Sequence, residues 1–152
     1  MDGNKLIAQQ RYTNHSAEPM PFSAGFHPYF QVLDKTQLEV DIPADRLLDQ
    51  PNKTEHPFNG TFDFDQDEID VAFTALSRQS SSITDRAQGF RLTLTQSDEF
   101  SMIVFWTVKG KPFYCLEPWT AGRNALNTGD RLLSLAPGAS LETVFSLRAD
   151  FL

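Results

Sequence analysis

Apolar and polar residues alternate with a period of two in several stretches of this chain, the signature of strands with one buried face. Leu38, Val40 and Ile42 alternate with Gln37, Glu39 and Asp41. Phe90, Leu92 and Leu94 alternate with Arg91, Thr93 and Thr95, and Leu141, Thr143, Phe145 and Leu147 stand against Glu142, Ser146 and Arg148. The run from Phe100 to Val108 is apolar on both faces, with Met102, Val104 and Trp106 against Ile103, Phe105 and Thr107. That pattern predicts a central strand covered on both sides. Strand-like segments also occupy 5–13 and 20–24, and Asn14-His15-Ser16 between them is expected to turn a first hairpin.

Turn residues divide these runs. Lys109-Gly110-Lys111-Pro112 predicts a tight connection out of the central strand, and residues 50–61, with Pro51, Asn52, Pro57, Asn59 and Gly60, are the longest expected loop. One short helical turn is expected around Arg123 to Leu126. With no repeat, linker or low-complexity tract, the pattern predicts one all-β domain over 1–152, an antiparallel β-sandwich of two packed sheets. Its first strand begins almost at the terminus, which leaves an edge that would seek a partner if neighbouring strands lie elsewhere.

A length of 152 residues suits one domain with a real core. Thirteen phenylalanines indicate a core or cleft walled by aromatic faces. The formal charge of −7 repels phosphate backbones and anionic surfaces, so neither nucleic acid nor membrane is an expected partner. The single cysteine, Cys115, has no disulfide partner within the chain. No apolar run reaches membrane-spanning length, and Met1 to Lys5 is not followed by a signal-peptide core. A cytoplasmic location is therefore expected. The glycosylation-like triplets at Asn14, Asn52 and Asn59 are read as chance.

Two segments carry candidate chemistry. In Gly25-Phe26-His27-Pro28-Tyr29-Phe30 a histidine sits in an aromatic, proline-stiffened setting, and in Tyr114-Cys115-Leu116-Glu117-Pro118-Trp119 a carboxylate does. Such a pair can act as acid and base on opposite sides of a small polar substrate. Two readings of Glu117 stay open: a buried functional carboxylate, which costs free energy unless compensated, or a solvated side chain at a strand end. His27 likewise stands between a proton donor and a packed loop histidine. Gly25, which permits close backbone approach, and the wall of Phe26, Tyr29 and Trp119, suited to the apolar faces of sugars, favour the first. Asp70 adjoins a buried segment behind the acidic run Asp63 to Glu68, whereas His15 and His56 read as surface. No zinc spacing, phosphate-cradling loop or Gly-x-Ser-x-Gly elbow is present, and Cys115 reads as a small core residue.

These motifs resemble the aldose 1-epimerases, or galactose mutarotases. Met20-Pro21-Phe22 followed by Gly25 to Phe30 is similar to the family's histidine motif. Glu117-Pro118-Trp119, then Leu135-Ala136-Pro137-Gly138 and a last strand, is similar to its carboxyl-terminal signature, and Ile69-Asp70-Val71-Ala72-Phe73 matches the place of a substrate-binding aspartate. The resemblance implies a galactose mutarotase-like sandwich, of which this chain is the carboxyl-terminal half. It implies cofactor-free, metal-free interconversion of the α and β anomers of a free or phosphorylated hexose. Glu117 would be the base at the anomeric hydroxyl, His27 the acid at the ring oxygen, and Asp70 a sugar contact; Arg123 or Arg131 would be the groups to read a phosphate. With the amino-terminal half absent, weak catalysis, a non-catalytic sugar-binding module, or pairing with a second copy or a separate amino-terminal half are the alternatives.

Overall fold

A computed structural model describes residues 3–152 of the chain. Among them are thirteen strands: β1 (Lys5–Thr13), β2 (Met20–Phe22), β3 (Tyr29–Gln31), β4 (Leu38–Asp41), β5 (Arg46–Asp49), β6 (Thr54–Pro57), β7 (Glu68–Phe73), β8 (Ser80–Asp85), β9 (Phe90–Gln96), β10 (Met102–Val108), β11 (Phe113–Trp119), β12 (Leu133–Leu135) and β13 (Ser140–Phe151). One helical turn, α1 (Ala125–Thr128), and a 3-10 turn at Lys35–Gln37 complete them. No helix among the described residues is long and apolar enough to cross a membrane.

The strands form an antiparallel sandwich. One sheet runs β1-β13-β9-β8-β4, the other β3-β11-β10-β7-β5-β6, and β12 pairs with β2 in a small third sheet. The core lies between the two large sheets. Ile83, Leu92 and Leu94 from the first meet Ile69, Val71, Phe73, Ile103, Phe105, Tyr114 and Leu116 from the second. Aromatic faces fill much of it, as the phenylalanine count predicts: Phe62 stacks on Phe105 with ring centres 4.3 Å apart, and Phe58 meets Phe73 edge-on at 4.8 Å. Burial of this kind is the main stabilising contribution in such a domain.

The expected strands at 5–13, 37–42, 90–95 and 141–148 are present, and β10 is central in its sheet. Its turn into β11 is the expected Lys109–Pro112 connection, with Gly110 at φ +69° where a side chain would be strained. Three expectations are corrected. β1 and β2 do not make a hairpin: β1 pairs along its full length with β13, Lys5 opposite Arg148 and Thr13 opposite Ser140, while β2 pairs with β12. Asn14 is instead buried, its amide donating to the carbonyls of Glu18 and Leu135. The 50–61 loop contains β6, which folds back on β5 as a hairpin. The helical turn lies two residues later than expected, because Asn124 (φ +66°) is left-handed and α1 starts only after it.

β1 is an edge strand. Leu6 lies directly opposite Leu147, which packs on the core, yet Leu6 is 44% exposed and Ile7 is 51% exposed.

Candidate active site

Strand alternation decides which residues share a face. On β11, Tyr114 and Leu116 point into the core, so Cys115, Glu117 and Trp119 share the opposite face. On β10 the core takes Ile103 and Phe105, leaving Met102, Val104 and Trp106. On β7 it takes Ile69, Val71 and Phe73, leaving Glu68, Asp70 and Ala72. The register aligns these outward rows: Val104 lies between Glu117 and Ala72, and Trp106 between Cys115 and Asp70. Two carboxylates 47 residues apart in sequence thus reach one apolar floor of Met102, Val104 and Ala72.

Glu117 is 1% exposed. Its Oε2 accepts a hydrogen bond from the Trp119 indole Nε1 at 2.9 Å, and its Oε1 lies 3.5 Å from His27 Nε2. Burial pushes its carboxyl up to about 7, and Asp70 adds to the rise; the Trp119 hydrogen bond and Arg123 pull the other way. The solvated strand-end reading of Glu117 does not hold.

His27 reaches Glu117 from a segment pinned to the end of β11. Phe26 N donates to the Pro118 carbonyl, Thr120 N to the Ala24 carbonyl, and Ala24 N to the Thr120 hydroxyl. Gly25 lies under the Trp119 indole, where a Cβ would fall 2.8 Å from Cδ1. Only glycine allows the backbone so close, as its presence in the motif suggested. The His27 ring stacks on Tyr29 at 4.9 Å and 11°, and meets Trp106 edge-on. The imidazole remains open to solvent on its other side, its side chain 48% exposed. His27 and Glu117 are therefore neighbours, not groups on opposite sides of a substrate as the sequence led us to expect.

Asp70 is buried at 7% exposure in the same pocket. Its Oδ1 accepts from Gln50 Nε2 at 2.6 Å and its Oδ2 pairs with Arg123 at 2.9 Å. Each oxygen keeps acceptor capacity for a further donor. Trp106 donates from Nε1 to Glu68 Oε1 at 2.6 Å. Gln50, Glu68 and Trp106 escaped the sequence reading, and Arg123 entered it only as a phosphate reader. For Trp106 a signal existed, since alternation sets it opposite Phe105, but its nearness to Asp70 depends on sheet order.

Two adjoining recesses share His27, Trp119 and Arg123. The smaller, about 250 Å³, holds both carboxylates, and the wider, about 440 Å³, lies between the Ser23–His27 segment and the loop from Ala121 to Asn127. Phe26 borders the wider recess and packs its ring on Phe145 at 4.6 Å. Arg131 lies apart from the pair, in a neighbouring recess with Lys53 and Arg123. Cys115 is fully buried, and burial, then Glu117, push its thiol up to about 12, so it stays protonated. His15 and His56 are exposed, away from this site.

A buried carboxyl poised near neutrality, a histidine beside it and an aromatic rim form an arrangement suited to paired proton transfer. The family model described as aldose 1-epimerase matches residues 1–148. The Slr1438 protein from Synechocystis sp. PCC 6803 is 34% identical, with a TM-score of 0.97 over 100% of this chain and 53% of that one. A galactose mutarotase-like protein from Clostridium acetobutylicum is 20% identical, with a TM-score of 0.78 over 99% of this chain and 54% of that one. The chain thus spans about half the length of these solved relatives. No curated protein matches it in sequence.

Proposed function

The chain belongs to the aldose 1-epimerase family, and from that premise we propose that it interconverts the α and β anomers of a hexose by acid–base ring opening, with Glu117 as base and His27 as acid. The observation that carries this reading is the buried Glu117 carboxylate with Oε1 3.5 Å from His27 Nε2. In a cyclic hemiacetal, the anomeric hydroxyl and the ring oxygen are bonded to the same carbon. An acid and a base placed side by side can therefore address both at once. At 3.5 Å the two groups are longer than a hydrogen bond, so neither is saturated by the other.

Glu117 takes the proton of the anomeric hydroxyl as His27 gives one to the ring oxygen. The carbon–oxygen bond breaks, the electron pair of the hydroxyl becomes the aldehyde double bond, and the ring opens. Rotation about the next carbon–carbon bond presents the other aldehyde face. Reclosure returns both protons along the same routes, and no proton is gained or lost overall. A base held near 7 suits this task, because it is available at neutral pH and still binds the proton well. Trp119 fixes the carboxylate through Oε2 and leaves Oε1 for the sugar. Asp70, oriented by Gln50 and Arg123, accepts from sugar hydroxyls, while Tyr29, Phe26 and Trp119 offer apolar faces.

Freshly dissolved α-glucose or α-galactose, followed by polarimetry or proton NMR, tests this. The protein is expected to accelerate anomerisation, and Glu117→Gln and His27→Asn to remove the acceleration. Unchanged acceleration in either variant would overturn the assignment of that residue. The half-exposed Leu6 and Ile7 on the β1 edge support a second reading, in which this chain is a structural half that pairs with another copy or with a separate chain. Light scattering separates the two: a well-behaved monomer that accelerates anomerisation rules out the second.

A further inference from the structure

A side chain that the acid–base mechanism leaves unused lies beneath the pair. Cys115 is two residues before Glu117 on the same face of β11, and opposite Tyr29, whose ring stacks on His27. A ring nitrogen of His27, Sγ of Cys115 and a carboxylate oxygen of Glu117 all lie within 4.8 Å of one another. Among the described residues, this is the one group of three histidine, cysteine or carboxylate side chains so gathered. We propose that these three side chains form a binding site for a thiophilic divalent cation of the zinc class, and that such a cation inhibits the protein by occupying its acid and base together.

The donor set argues for that class of ion. One sulfur, one nitrogen and one oxygen match the ligands of Zn²⁺, Co²⁺ and Cd²⁺, whereas Mg²⁺ and Ca²⁺ prefer oxygen alone. In a tetrahedral zinc site, bond lengths place neighbouring ligand atoms about 3.4–3.6 Å apart. The His27–Glu117 edge already measures 3.5 Å. The sulfur edges, at most 4.8 Å, need contract by no more than about 1.2 Å to match. Rotation of the half-exposed His27 ring shortens its edge to sulfur, and rotation of the Cys115 and Glu117 side chains about their own χ angles closes the edge between those two. Burial keeps the thiol protonated in the free protein, and a coordinating dication reverses this by drawing the proton off sulfur and stabilising the thiolate. Three protein ligands leave the fourth position to water, the pattern of an exchangeable ion rather than a closed structural site.

Only the inhibitory consequence rests on the proposed function, and binding is read without it. Titration of the full chain with Co²⁺ should produce a near-ultraviolet thiolate-to-cobalt charge-transfer band, saturating at one equivalent and displaced by Zn²⁺. Because Cys115 is the single cysteine, the band in the unmodified protein reports this site alone. Cys115→Ala should abolish it. His27→Asn and Glu117→Gln, each removing a direct ligand, should weaken Co²⁺ affinity by at least about tenfold. If anomerisation is observed, Zn²⁺ should inhibit it competitively with sugar, and Cys115→Ala should keep the basal rate while losing zinc sensitivity. Absence of the band at millimolar-order Co²⁺ overturns the metal site whatever the activity. Zinc inhibition that persists in Cys115→Ala overturns the assignment of sulfur as a ligand. Should Cys115→Ala not fold, the band in the unmodified protein and its response to His27→Asn still decide the matter.

Discussion

The two faces of β7, β10 and β11 are built from alternate residues of the same strands, yet they do opposite work. The inner face, with Phe73, Ile103, Phe105 and Leu116 at 0% exposure, is apolar but for Thr107 and the Tyr114 hydroxyl, and is packed against the other sheet. The outer face sets Asp70 and Glu117 on a floor of Ala72, Met102 and Val104, and buries them almost as deeply. Removing water from an apolar side chain stabilises the fold, whereas removing it from a carboxylate opposes ionisation and raises the pKa. One face therefore holds the domain together and the other holds a group poised for proton transfer at some cost in stability. If that division is right, substitutions on the two faces must change different measurements.

The largest contrast comes from Glu117→Gln. On the proposed mechanism it removes a general base, and the anomerisation rate should fall by about 10²–10⁴-fold. Stability should move the other way. The folded carboxyl sits at about 7 against an ordinary 4.5, so between those values the folded state holds more protons than the unfolded. Stability contributed by the protonated carboxyl is present below about 4.5 and lost as pH rises through 7. Glu117→Gln cannot lose it. The variant should gain on the native protein as pH rises from 4 to 8, by on the order of 3 kcal/mol at the upper end. Thermal melts across that range check this, and a gap that does not widen with pH would show that Glu117 is not held as described.

Phe105→Ala is the counterpart on the inner face. Phe105 is fully buried and stacked on Phe62, so truncation should cost about 3–5 kcal/mol of stability. Its side chain points away from the site. Below the lowered melting temperature, the rate per folded molecule should stay within about twofold of the native value, since no reacting group moves. A large loss of rate in well-folded protein would show that the two faces are coupled.

The inner face was largely legible in the sequence, and the outer face only in part. Alternation is a local property, so the strands at 5–13 and 90–95 and the two-sided run over β10 could be read directly. His27 and Glu117 announced themselves through their proline and aromatic neighbours. Pairing between distant strands is not local, however. Nothing near Thr13 says that its partner is Ser140 rather than a strand a few residues on, and the expected hairpin failed there. For the same reason Gln50 and Trp106 were invisible as neighbours of Asp70. Their roles follow from β5 and β10 lying on either side of β7. The distance between His27 and Glu117 was equally out of reach, because it depends on the Gly25–Trp119 contact across the β11 edge.

That contact can be broken by one methyl group. In Gly25→Ala the new Cβ would meet the Trp119 indole at 2.8 Å, and either the indole or the His27 segment must move. Overpacking of this kind costs about 1–3 kcal/mol of stability. The rate should drop further than that loss explains, by up to about 10²-fold, because displacement separates acid from base. A crystal structure or the Trp119 indole proton shift would register the move. Gly25→Ala with native rate and native Trp119 environment would show that the segment tolerates more than its packing suggests.

The smallest effect is the most specific. Trp119 donates its one N–H to Glu117, and a hydrogen bond to the charged form lowers a carboxyl pKa. Trp119→Phe keeps most of the apolar cover and removes the donor. Burial then acts with less opposition and holds the Glu117 carboxyl above its native value of about 7. The acid limb of the pH–rate profile should therefore lie at higher pH than in the native protein, by on the order of one pH unit. The rate at high pH should change much less, because Oε1 and not Oε2 faces His27. An unmoved or lowered midpoint would assign the limb to another group, and the poised carboxylate of the outer face would lose its main kinetic support.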